Sequence, residues 1–509
     1  MWLRPVRANL AAAVRHLSTA DKAIKSGGDG GGSGGGRDSL GKRLFKLVYP
    51  KRSAVVAIRK WKEEGHMLQK YQLNRIVREL RKMKRYKHAL EVCEWMTQQK
   101  EIKLLPGDYA VHLDLIGKIR GLASAEKFFE DLPDKMRVEE TCTALLHTYA
   151  ENRLLGKAEA LVEKMSECGF LRSPLPYNHM LTLYIAKGQF KKVEGVFQEL
   201  RKKTSPDVVT FNLLLTACAS QNDIETAEKT FMILKKAKVE PDWVTYSILS
   251  NLYVKNKLHE KAVSTLKEME KGASRKNRLA YSSLLSLHAN LGDKDGLHRN
   301  WQKMKSCFRK MNDAEYTCMI ASLVKLEEIE EAENLYTEWE SVSGTGDPRV
   351  SNILLAAYIN TDKMQEAEKF YNHIVQKRIK PSYTTWELLT WAYLKTKQTE
   401  KVLHYFQKAV GSVKKWDPDK RIIGEVFKLL EENENIEGAE QFLVILRSAG
   451  HVSTEIYNSL LRVYAKASRM ALVVAERMKK DNVELDEETH NLIQTTKNMR
   501  VSEIPRVLA

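Results

Sequence analysis

Val208 opens the stretch VVTFNLLLTACASQNDIETAEKTF, and stretches of the same pattern begin at Trp243, Arg278 and Asp313. Successive starts lie 35 residues apart. In every stretch an aromatic residue stands at the fourth place and a small polar residue at the fifth. Self-similarity at a fixed period of this length is typical of a solenoid, in which one supersecondary unit is stacked many times.

Apolar residues recur at helical spacing in both halves of the repeat. In the first half they include Phe211, Leu215 and Cys218. The turn-forming residues of 220–223 interrupt the pattern, which resumes from Ile224. A period near 3.6 on both sides of a polar break predicts a helix, a turn and a second helix. Most second helices also carry a small residue that allows close helix packing: Ala125, Ala158, Ala227, Ala262, Ala332 and Ala367.

The same register extends outward from these central repeats. Further units begin near Lys70, Pro106, Glu139, Pro174, Pro348, Tyr383, Pro418 and Thr454, with a fragment near Glu487. This gives about twelve repeats between residue 70 and residue 509. Because one repeat is too small to bury its own apolar face, we expect stability to come from stacking of neighbours. The sequence therefore predicts an all-α solenoid.

Short motifs relate this repeat to a known family. They are VVTFN from Val208, WVTYS from Trp243, PYNHML from Pro176, the second-helix alanines and the Pro-Asp pairs that close two repeats. They resemble P-class pentatricopeptide repeats, found in plant organellar RNA-binding proteins, over about four-fifths of the chain. The resemblance implies a right-handed superhelix. The main alternative is the peptide-binding tetratricopeptide repeat of period 34, and the 35-residue spacing favours the first interpretation.

The resemblance implies that the fifth and last residues of a repeat read one RNA base together. The fifth side chain meets the Watson–Crick edge, and the last residue orients it. Six consecutive repeats carry small polar pairs at these places: Asn178/Asp207, Asn212/Asp242, Ser247/Asn277, Ser282/Asn312, Thr317/Asp347 and Asn352/Ser382. By the family's pairing preferences, these pairs favour U-U-A-A-G-C from 5′ to 3′. The alternative is that small polar residues near helix starts serve only as caps.

Two further places in the repeat acquire roles from the resemblance. The second residue is expected to pack an apolar side chain between bases, as Leu175, Val209, Val244 and Leu279 would, whereas Ala314 and Arg349 depart from this pattern. The thirteenth residue is expected to meet phosphates, as Lys255, Lys325 and Lys395 would. At the fifth place of three flanking repeats, Ala110, Glu387 and Ile422 do not fit base reading.

Positive charge is concentrated near the N-terminus. The net charge is +18, and residues 1–105 hold 24 Lys and Arg against 9 Asp and Glu. The remaining residues carry 59 against 56, so the repeat array is almost neutral. The run from Arg81 to Lys87 contains five cations. Contact with phosphates and a solvated helix face are both open interpretations of that run.

The first residues have the composition of a targeting peptide. Arg4, Arg7 and Arg15 lie among apolar residues, and no acidic residue precedes Asp21. This pattern is typical of an organelle transit peptide, the alternative being a disordered basic tail. We therefore divide the chain into a transit peptide with a glycine-rich spacer (1–36), a basic lead-in (37–69) and the pentatricopeptide-repeat solenoid (70–509). We expect a mitochondrial location rather than a chloroplast one, and no membrane span.

The sequence offers no pattern for catalysis, a metal or a cofactor. None of the six cysteines forms a Cys-x-x-Cys pair, which disfavours a zinc ribbon. A His-x-Glu motif followed by Cys-x-x-Cys, typical of deaminases, does not occur. No Walker loop occurs, and Gly-x-Gly-x-x-Gly spacing is found only within the glycine tract of residues 27–36. We therefore expect no enzyme, no catalytic residue and no cofactor.

These observations favour a protein that binds specific single-stranded organellar RNA and acts passively. Such binding would stabilise, process, splice or help translate the RNA by blocking nucleases or remodelling structure. Other RNA-processing proteins are possible partners. One alternative is a structural repeat subunit of the mitochondrial ribosome, which the near-neutral array and the poorly matching flanking repeats allow. A second alternative is a peptide-binding scaffold.

Overall fold

The computed structural model describes residues 39–47, 52–272, 277–413, 416–417, 419–471 and 473–501. The proposed transit peptide and spacer therefore lie outside the described residues. The chain divides into two compact units, Met1–Ala273 and Ser274–Ala509. Both are built almost entirely from α-helices, so the prediction of an all-α fold is confirmed.

In the first unit, two short helices precede six helix hairpins. A single 3-10 turn, Asp134–Met136, lies between the second and third hairpins. The helices are α1 Leu40–Phe45, α2 Ala54–Glu63, α3 Lys70–Lys82, α4 Tyr86–Gln98, α5 Pro106–Arg120, α6 Leu122–Glu130, α7 Glu139–Glu151, α8 Leu155–Glu167, α9 Pro174–Ala186, α10 Phe190–Lys203, α11 Val208–Gln221, α12 Ile224–Lys236, α13 Trp243–Lys255 and α14 His259–Gly272. Hairpin 1 is α3–α4, and hairpins 2 to 6 follow in order.

The second unit continues with hairpins 7 to 12 and one closing helix. Its helices are α15 Arg278–Leu291, α16 Lys294–Cys307, α17 Asp313–Lys325, α18 Ile329–Ser343, α19 Pro348–Asn360, α20 Met364–Gln376, α21 Tyr383–Lys395, α22 Thr399–Gly411, α23 Lys420–Glu432, α24 Ile436–Ser448, α25 Thr454–Lys466, α26 Val474–Lys480 and α27 Glu487–Lys497. A short parallel pair joins β1 Arg469–Met470, which lies between α25 and α26, to β2 Arg500–Val501, which follows α27. The sequence analysis did not anticipate this pair.

The first helices begin where the sequence places a cap. Asp207 accepts a hydrogen bond from the backbone N–H of Thr210, and Asp242 does the same for Thr245. A side chain at this place satisfies one of the amide groups that a helix start leaves free. Pro174 and Pro348 occupy the first helical position, where the missing proline N–H does no harm. Predicted repeat starts therefore coincide with helix starts at most positions.

The repeat near Pro418 is a correction. Its first helix, α23, begins at Lys420 after the cap Asp419, because the preceding repeat is two residues longer than the period. Ile422 is consequently the third residue of that helix and not the fifth, which is Gly424. Ile422 is buried in the core.

The core lies between the two layers of helices in each unit. First helices pack against the first helices of the next hairpin and against their own second helices. All six predicted second-helix alanines are fully buried. Val193, Leu297 and Val402 are also buried at the same place of other repeats, so this crossing admits larger side chains as well. In the described part of the chain, no helix combines the length and apolarity that crossing a membrane requires.

Candidate nucleic-acid interface

One side of each first helix carries the residues that the sequence analysis singled out. Places 2, 5, 9 and 13 are three or four residues apart, so they share a helix face. In α9 they are Leu175, Asn178, Thr182 and Ala186. We call the corresponding surface of either unit the first-helix face. At hairpin 4, Leu175 on this face is 46% exposed, whereas Asn178 beside it is buried.

A three-residue link joins hairpin 4 to hairpin 5 on this face. The amide Nδ2 of Asn178 donates to Oδ1 of Asp207 over 3.2 Å. The Thr210 hydroxyl donates to Oδ1 of Asn178 over 2.8 Å. Because one end of the amide donates to a carboxylate and the other accepts from a hydroxyl, its orientation is determined. We call this arrangement the Asn–Asp–Thr link.

The same link joins hairpin 5 to hairpin 6. Asn212 Nδ2 lies 3.0 Å from Asp242 Oδ1, and Thr245 Oγ1 lies 2.7 Å from Asn212 Oδ1. In both links the aspartate also caps the following helix. Each aspartate therefore has two contacts: it caps the following helix, and the same carboxylate orients the asparagine of the preceding repeat.

A serine version of the link is present in the second unit. Asn352 Nδ2 donates to Oγ of Ser382 over 3.2 Å, and the Thr385 hydroxyl donates to Asn352 Oδ1 over 2.8 Å. A neutral hydroxyl replaces the carboxylate here. The Asn352 amide is therefore oriented in the same way but without a nearby negative charge.

The sequence analysis missed one complete link. Asn458 Nδ2 donates to Oδ1 of Asp486 over 3.1 Å, and the Thr489 hydroxyl donates to Asn458 Oδ1 over 2.7 Å. Counting from Thr454 places Asn458 at the fifth position, and Asp486 directly precedes α27. The repeat register alone therefore places Asn458 and Asp486 at the fifth and last positions of this repeat.

Two of the predicted pairs are not brought together by the structure. Within the described residues, no hydrogen bond joins Ser282 to Asn312 or Thr317 to Asp347. Ser282 and Thr317 donate instead to carbonyl groups one turn earlier in their own helices, those of Arg278 and Asp313.

Other ionic contacts occupy the corresponding places in these two repeats. Glu315 stands where the linked repeats have threonine, and it pairs with Arg278 of the previous hairpin. Asp347 is held by Arg349, whose Nε lies 2.9 Å from Asp347 Oδ2. The hydrogen bonds from Arg349 also lower the pKa of Asp347. An ion pair with a neighbour two residues away therefore replaces the contact expected with Thr317.

Ser247 and Asn277, the remaining predicted pair, belong to different units. Ser247 is half-buried on α13. Asn277 caps α15 by accepting from the backbone N–H of Ala280 over 3.2 Å. The last residue of this pair therefore has the same capping role as Asp207 and Asp242.

Exposure of the fifth residue varies between repeats. Asn212 has 0% exposed surface, and Asn178 and Asn352 are also buried. Ser247, Ser282 and Thr317 are half-buried. The asparagine amides are thus well oriented but covered, whereas the hydroxyl side chains are more accessible and less constrained.

The second and thirteenth places are also mixed. Leu175 and Leu279 are about half exposed, Val209 is half-buried and Val244 is buried. Lys255 is exposed and has no hydrogen-bonding or ionic partner among the described residues. Lys325 donates to the amide oxygen of Asn290, and burial lowers its pKa. Lys395 pairs with Asp362 over 3.2 Å. Of the three lysines, Lys255 is the most available cation.

One group of side chains has the donor atoms of a metal site. Ligand atoms of Asp114, His147 and Glu151 lie within 4.8 Å of one another. Asp114, however, already accepts from Lys118 over 2.9 Å and from Arg81 over 3.0 Å. Burial tends to raise the pKa of Asp114, but Lys118, His147 and Arg81 outweigh it and lower that pKa overall. Two cations this close disfavour a divalent ion, so the group is an ion-pair network between hairpins 1, 2 and 3.

Sequence comparisons identify repeats in this chain. The PPR repeat family model matches residues 206–255, and the pentatricopeptide repeat domain model matches residues 160–214. Single PPR repeats match residues 140–170, 244–272, 316–342 and 350–379.

Whole-chain relatives extend this similarity. A mitochondrial pentatricopeptide repeat-containing protein of Arabidopsis thaliana is 60% identical over 98% of this chain and 96% of its own length. A second Arabidopsis pentatricopeptide repeat-containing protein is 33% identical over 88% of this chain and 92% of its own length. A solved maize pentatricopeptide repeat protein, in complex with an 18-nucleotide RNA element, is 18% identical with a TM-score of 0.40, covering 97% of this chain and 79% of that one.

Proposed function

The chain belongs to the pentatricopeptide repeat family, and from this premise we propose that it is a P-class member that binds a specific single-stranded RNA in plant mitochondria. The observation that carries the proposal is the Asn–Asp–Thr link. In each unit it places oriented asparagine amides at the fifth position of repeats, in register.

The chemistry of an oriented amide suits a base edge. In the link, Asn178 uses one N–H for Asp207 and one lone pair for Thr210, which leaves one N–H and one lone pair. Uracil presents an N–H donor flanked by carbonyl acceptors on its Watson–Crick edge. A donor and an acceptor held at known ends of the amide can bond such an edge in one orientation. Single-stranded RNA exposes its base edges to contacts of this kind.

Binding requires the covered asparagines to become accessible. Asn212 has no exposed surface, so the side chains that cover it must move aside when a base enters. Rotation of surface side chains is a common change on binding. The half-buried Ser247, Ser282 and Thr317 need a smaller movement.

The proposed action is passive occupation of an RNA segment in mitochondria. The mitochondrial relative in Arabidopsis supports that location, and the acid-free segment before Asp21 is the proposed transit peptide. Bound protein would exclude nucleases and keep the segment single-stranded. Stabilisation, processing, splicing and translation are all compatible with this mechanism, and no step needs a catalytic residue.

Binding assays on a small RNA panel test the proposal. The full chain should bind the U-U-A-A-G-C core more tightly than cores with one changed base, by about 1–3 kcal/mol for each change. Thr317→Asn combined with Arg349→Val frees Asp347 and creates an asparagine–aspartate pair. This variant should shift the preference at that one base from G towards U.

A matched variant controls for the substitution itself. Thr337→Asn introduces the same side chain at an exposed place on α18, outside the first-helix face, and should leave the preference unchanged. Equal affinity of the Thr317→Asn/Arg349→Val protein for every core would show that the fifth position does not read bases. Cosedimentation with ribosomal particles in that case would favour the structural-subunit alternative.

A further inference from the structure

An ionic contact joins the second helices of several neighbouring hairpins. Between hairpins 9 and 10, Glu368 of one second helix accepts from the Tyr393 hydroxyl over 2.7 Å and pairs with Lys401 of the next second helix at 3.1 Å. The same three residue types, at the same helix positions, make this contact between hairpins 3 and 4 and between hairpins 5 and 6. Each contact places a charged bridge between two successive second helices.

Between hairpins 10 and 11 all three members of this contact are replaced. The corresponding residues are Leu403, the fifth of α22, Leu430, the eleventh of α23, and Gly438, the third of α24. Leu430 is fully buried, and a Cβ atom at Gly438 would lie 2.7 Å from its Cδ2. Because glycine has no side chain and leucine has no charge, α22 and α24 are not bridged in this way.

A groove of about 450 Å³ lies at this place, between α22 and α24. Leu403, Gly438, Val444 and Ile445 form its apolar floor, and Val444 is 37% exposed. The volume is within the range of ordinary binding pockets. Since the groove is lined by second helices and by Asn435 before α24, it does not belong to the first-helix face.

Two carboxylates stand at the rim of the groove. Glu400 and Glu437 are the second residues of α22 and α24, and both are exposed. Within the ranges that the structure describes, neither carboxylate makes an ion pair or accepts a side-chain hydrogen bond. No Lys or Arg is among the described residues that line the groove. The groove therefore combines an apolar floor with negative charge that no neighbouring cation balances.

This combination disfavours RNA and favours a cationic protein side chain. Phosphate groups would be repelled by Glu400 and Glu437, whereas a guanidinium group would form charge-assisted hydrogen bonds with them. The aliphatic stem of an arginine can at the same time cover apolar surface. An apolar neighbour of that arginine would bury the exposed part of Val444.

We propose that the groove between α22 and α24 is a docking site for a segment of a partner protein that contains arginine and apolar residues. Glu400 and Glu437 bind the guanidinium group, and the apolar floor binds the arginine stem and its apolar neighbour. The site lies in the layer of second helices, so it leaves the first-helix face free. It goes beyond the proposed function and does not rest on it.

Binding of a defined peptide to the full chain tests the proposal. The probe is a fluorescently labelled helical peptide with arginine and leucine residues on one face, and its control has glutamate in place of each arginine. Fluorescence anisotropy should show binding of the arginine peptide alone, with an affinity that falls as salt is added. Glu400→Gln/Glu437→Gln should weaken that binding about tenfold.

A matched variant controls for the loss of two charges. Glu330→Gln/Glu366→Gln removes two exposed carboxylates from the first turns of α18 and α20, outside the groove, and should bind the arginine peptide as the parent does. Affinity for RNA should be the same in the parent and in both double variants, because none of these four glutamates lies on the first-helix face.

A further variant blocks the groove without changing its charge. Gln441 lines the groove from an exposed position on α24, so Gln441→Trp should place a ring over the floor and weaken peptide binding at least as much. Gln376→Trp introduces the same ring at an exposed place on α20 and should have no effect. Thermal unfolding followed by circular dichroism checks that both variants are folded.

Several results would overturn the inference. The groove is not a site for such a segment if the parent binds neither peptide or binds both equally. The same conclusion follows if Glu400→Gln/Glu437→Gln or folded Gln441→Trp binds the arginine peptide as the parent does. If Glu400→Gln/Glu437→Gln instead alters RNA affinity, or alters self-association in sedimentation velocity, the groove belongs to RNA or to a second copy of the chain.

Discussion

At the scale of single residues, the Asn–Asp–Thr link makes one hydroxyl important for stability. Thr245 donates to Asn212 and is fully buried. Valine has nearly the same shape as threonine but lacks the hydroxyl group. Its introduction therefore leaves the buried Asn212 Oδ1 without a hydrogen-bond donor. We expect Thr245→Val to lower the free energy of opening of α13 by about 1–3 kcal/mol. Amide hydrogen exchange along α13 measures this change.

An exposed threonine provides the comparison. Thr384 lies at the second position of α21 on the surface, and Thr384→Val should leave exchange of α21 nearly unchanged. Equal protection in Thr245→Val and the parent would mean that the link contributes nothing to stability.

The ion pairs around Asp114 predict a dependence on pH. The pKa of Asp114 in the folded protein is lowered below its ordinary value, so its charged form favours the folded state. That contribution is complete above the ordinary carboxyl pKa and is lost as the pH falls through the lowered folded value. Asp114→Asn should therefore destabilise the protein by about 2–3 kcal/mol at pH 7, because Arg81 and Lys118 lose their buried partner.

The difference in unfolding free energy between the parent and Asp114→Asn should become smaller as the pH falls from 5 towards 3. Urea unfolding followed by circular dichroism at several pH values measures it. Asp134→Asn is the control, since the Asp134 side chain is 95% exposed and should show little effect at any pH. A difference that stays constant down to pH 3 would contradict the assignment to Asp114.

At the scale of helices, a recurring contact joins successive second helices. A glutamate of one second helix accepts from a tyrosine of the next hairpin and pairs with a cation of the next second helix. Glu159, for example, lies 2.8 Å from the Tyr184 hydroxyl and 2.7 Å from Lys192 Nζ. Glu228 and Glu368 make the same pair of contacts. These exposed versions position helices more than they stabilise them.

The buried version of this contact, between hairpins 11 and 12, supports a sharper prediction. Glu440 has 0% exposed surface, and it accepts from the Tyr464 hydroxyl and from two nitrogens of Arg477. Arg477→Met should loosen α26 by about 3–5 kcal/mol, because it leaves a buried carboxylate without its cation. Glu440→Leu/Arg477→Met should recover much of that loss. Amide hydrogen exchange in α24 and α26 measures both effects. If exchange is as fast in the double variant as in Arg477→Met, the loss does not come from the unpaired Glu440 carboxylate.

At the scale of the whole molecule, the charge distribution limits how RNA binding depends on salt. Positive charge is concentrated in residues 1–105, and many cations beyond them are paired with acids. Lys255 is exposed and unpaired among the described residues. Lys255→Ala should weaken binding of every RNA alike and reduce the slope of log affinity against log salt by about 0.7. A salt titration with two RNA sequences measures both effects, and a loss confined to one sequence would contradict a phosphate role.

Most of the repeat register was predictable from local sequence. Caps such as Asp207 and prolines such as Pro174 mark helix starts through backbone chemistry that acts within four residues. The register slipped by two residues near Pro418 because a longer connection precedes Lys420, and connection length is weakly constrained by helix pattern. The positions of the candidate pairs follow from the repeat register, including those of Asn458 and Asp486.

The sequence by itself determined the helical repeats, their period and the small polar residues at the fifth and last places. Only the tertiary structure decided which of those residues meet. Asp242 reaches Asn212, whereas Asp347 is taken by Arg349, and Asn212 is fully buried whereas Ser247 at the same place of the next repeat is half-buried. The physical reason is that caps and periodicity depend on neighbours along the chain. Hydrogen-bond partners and exposure instead depend on which side chains from different helices compete for the same few ångströms of space.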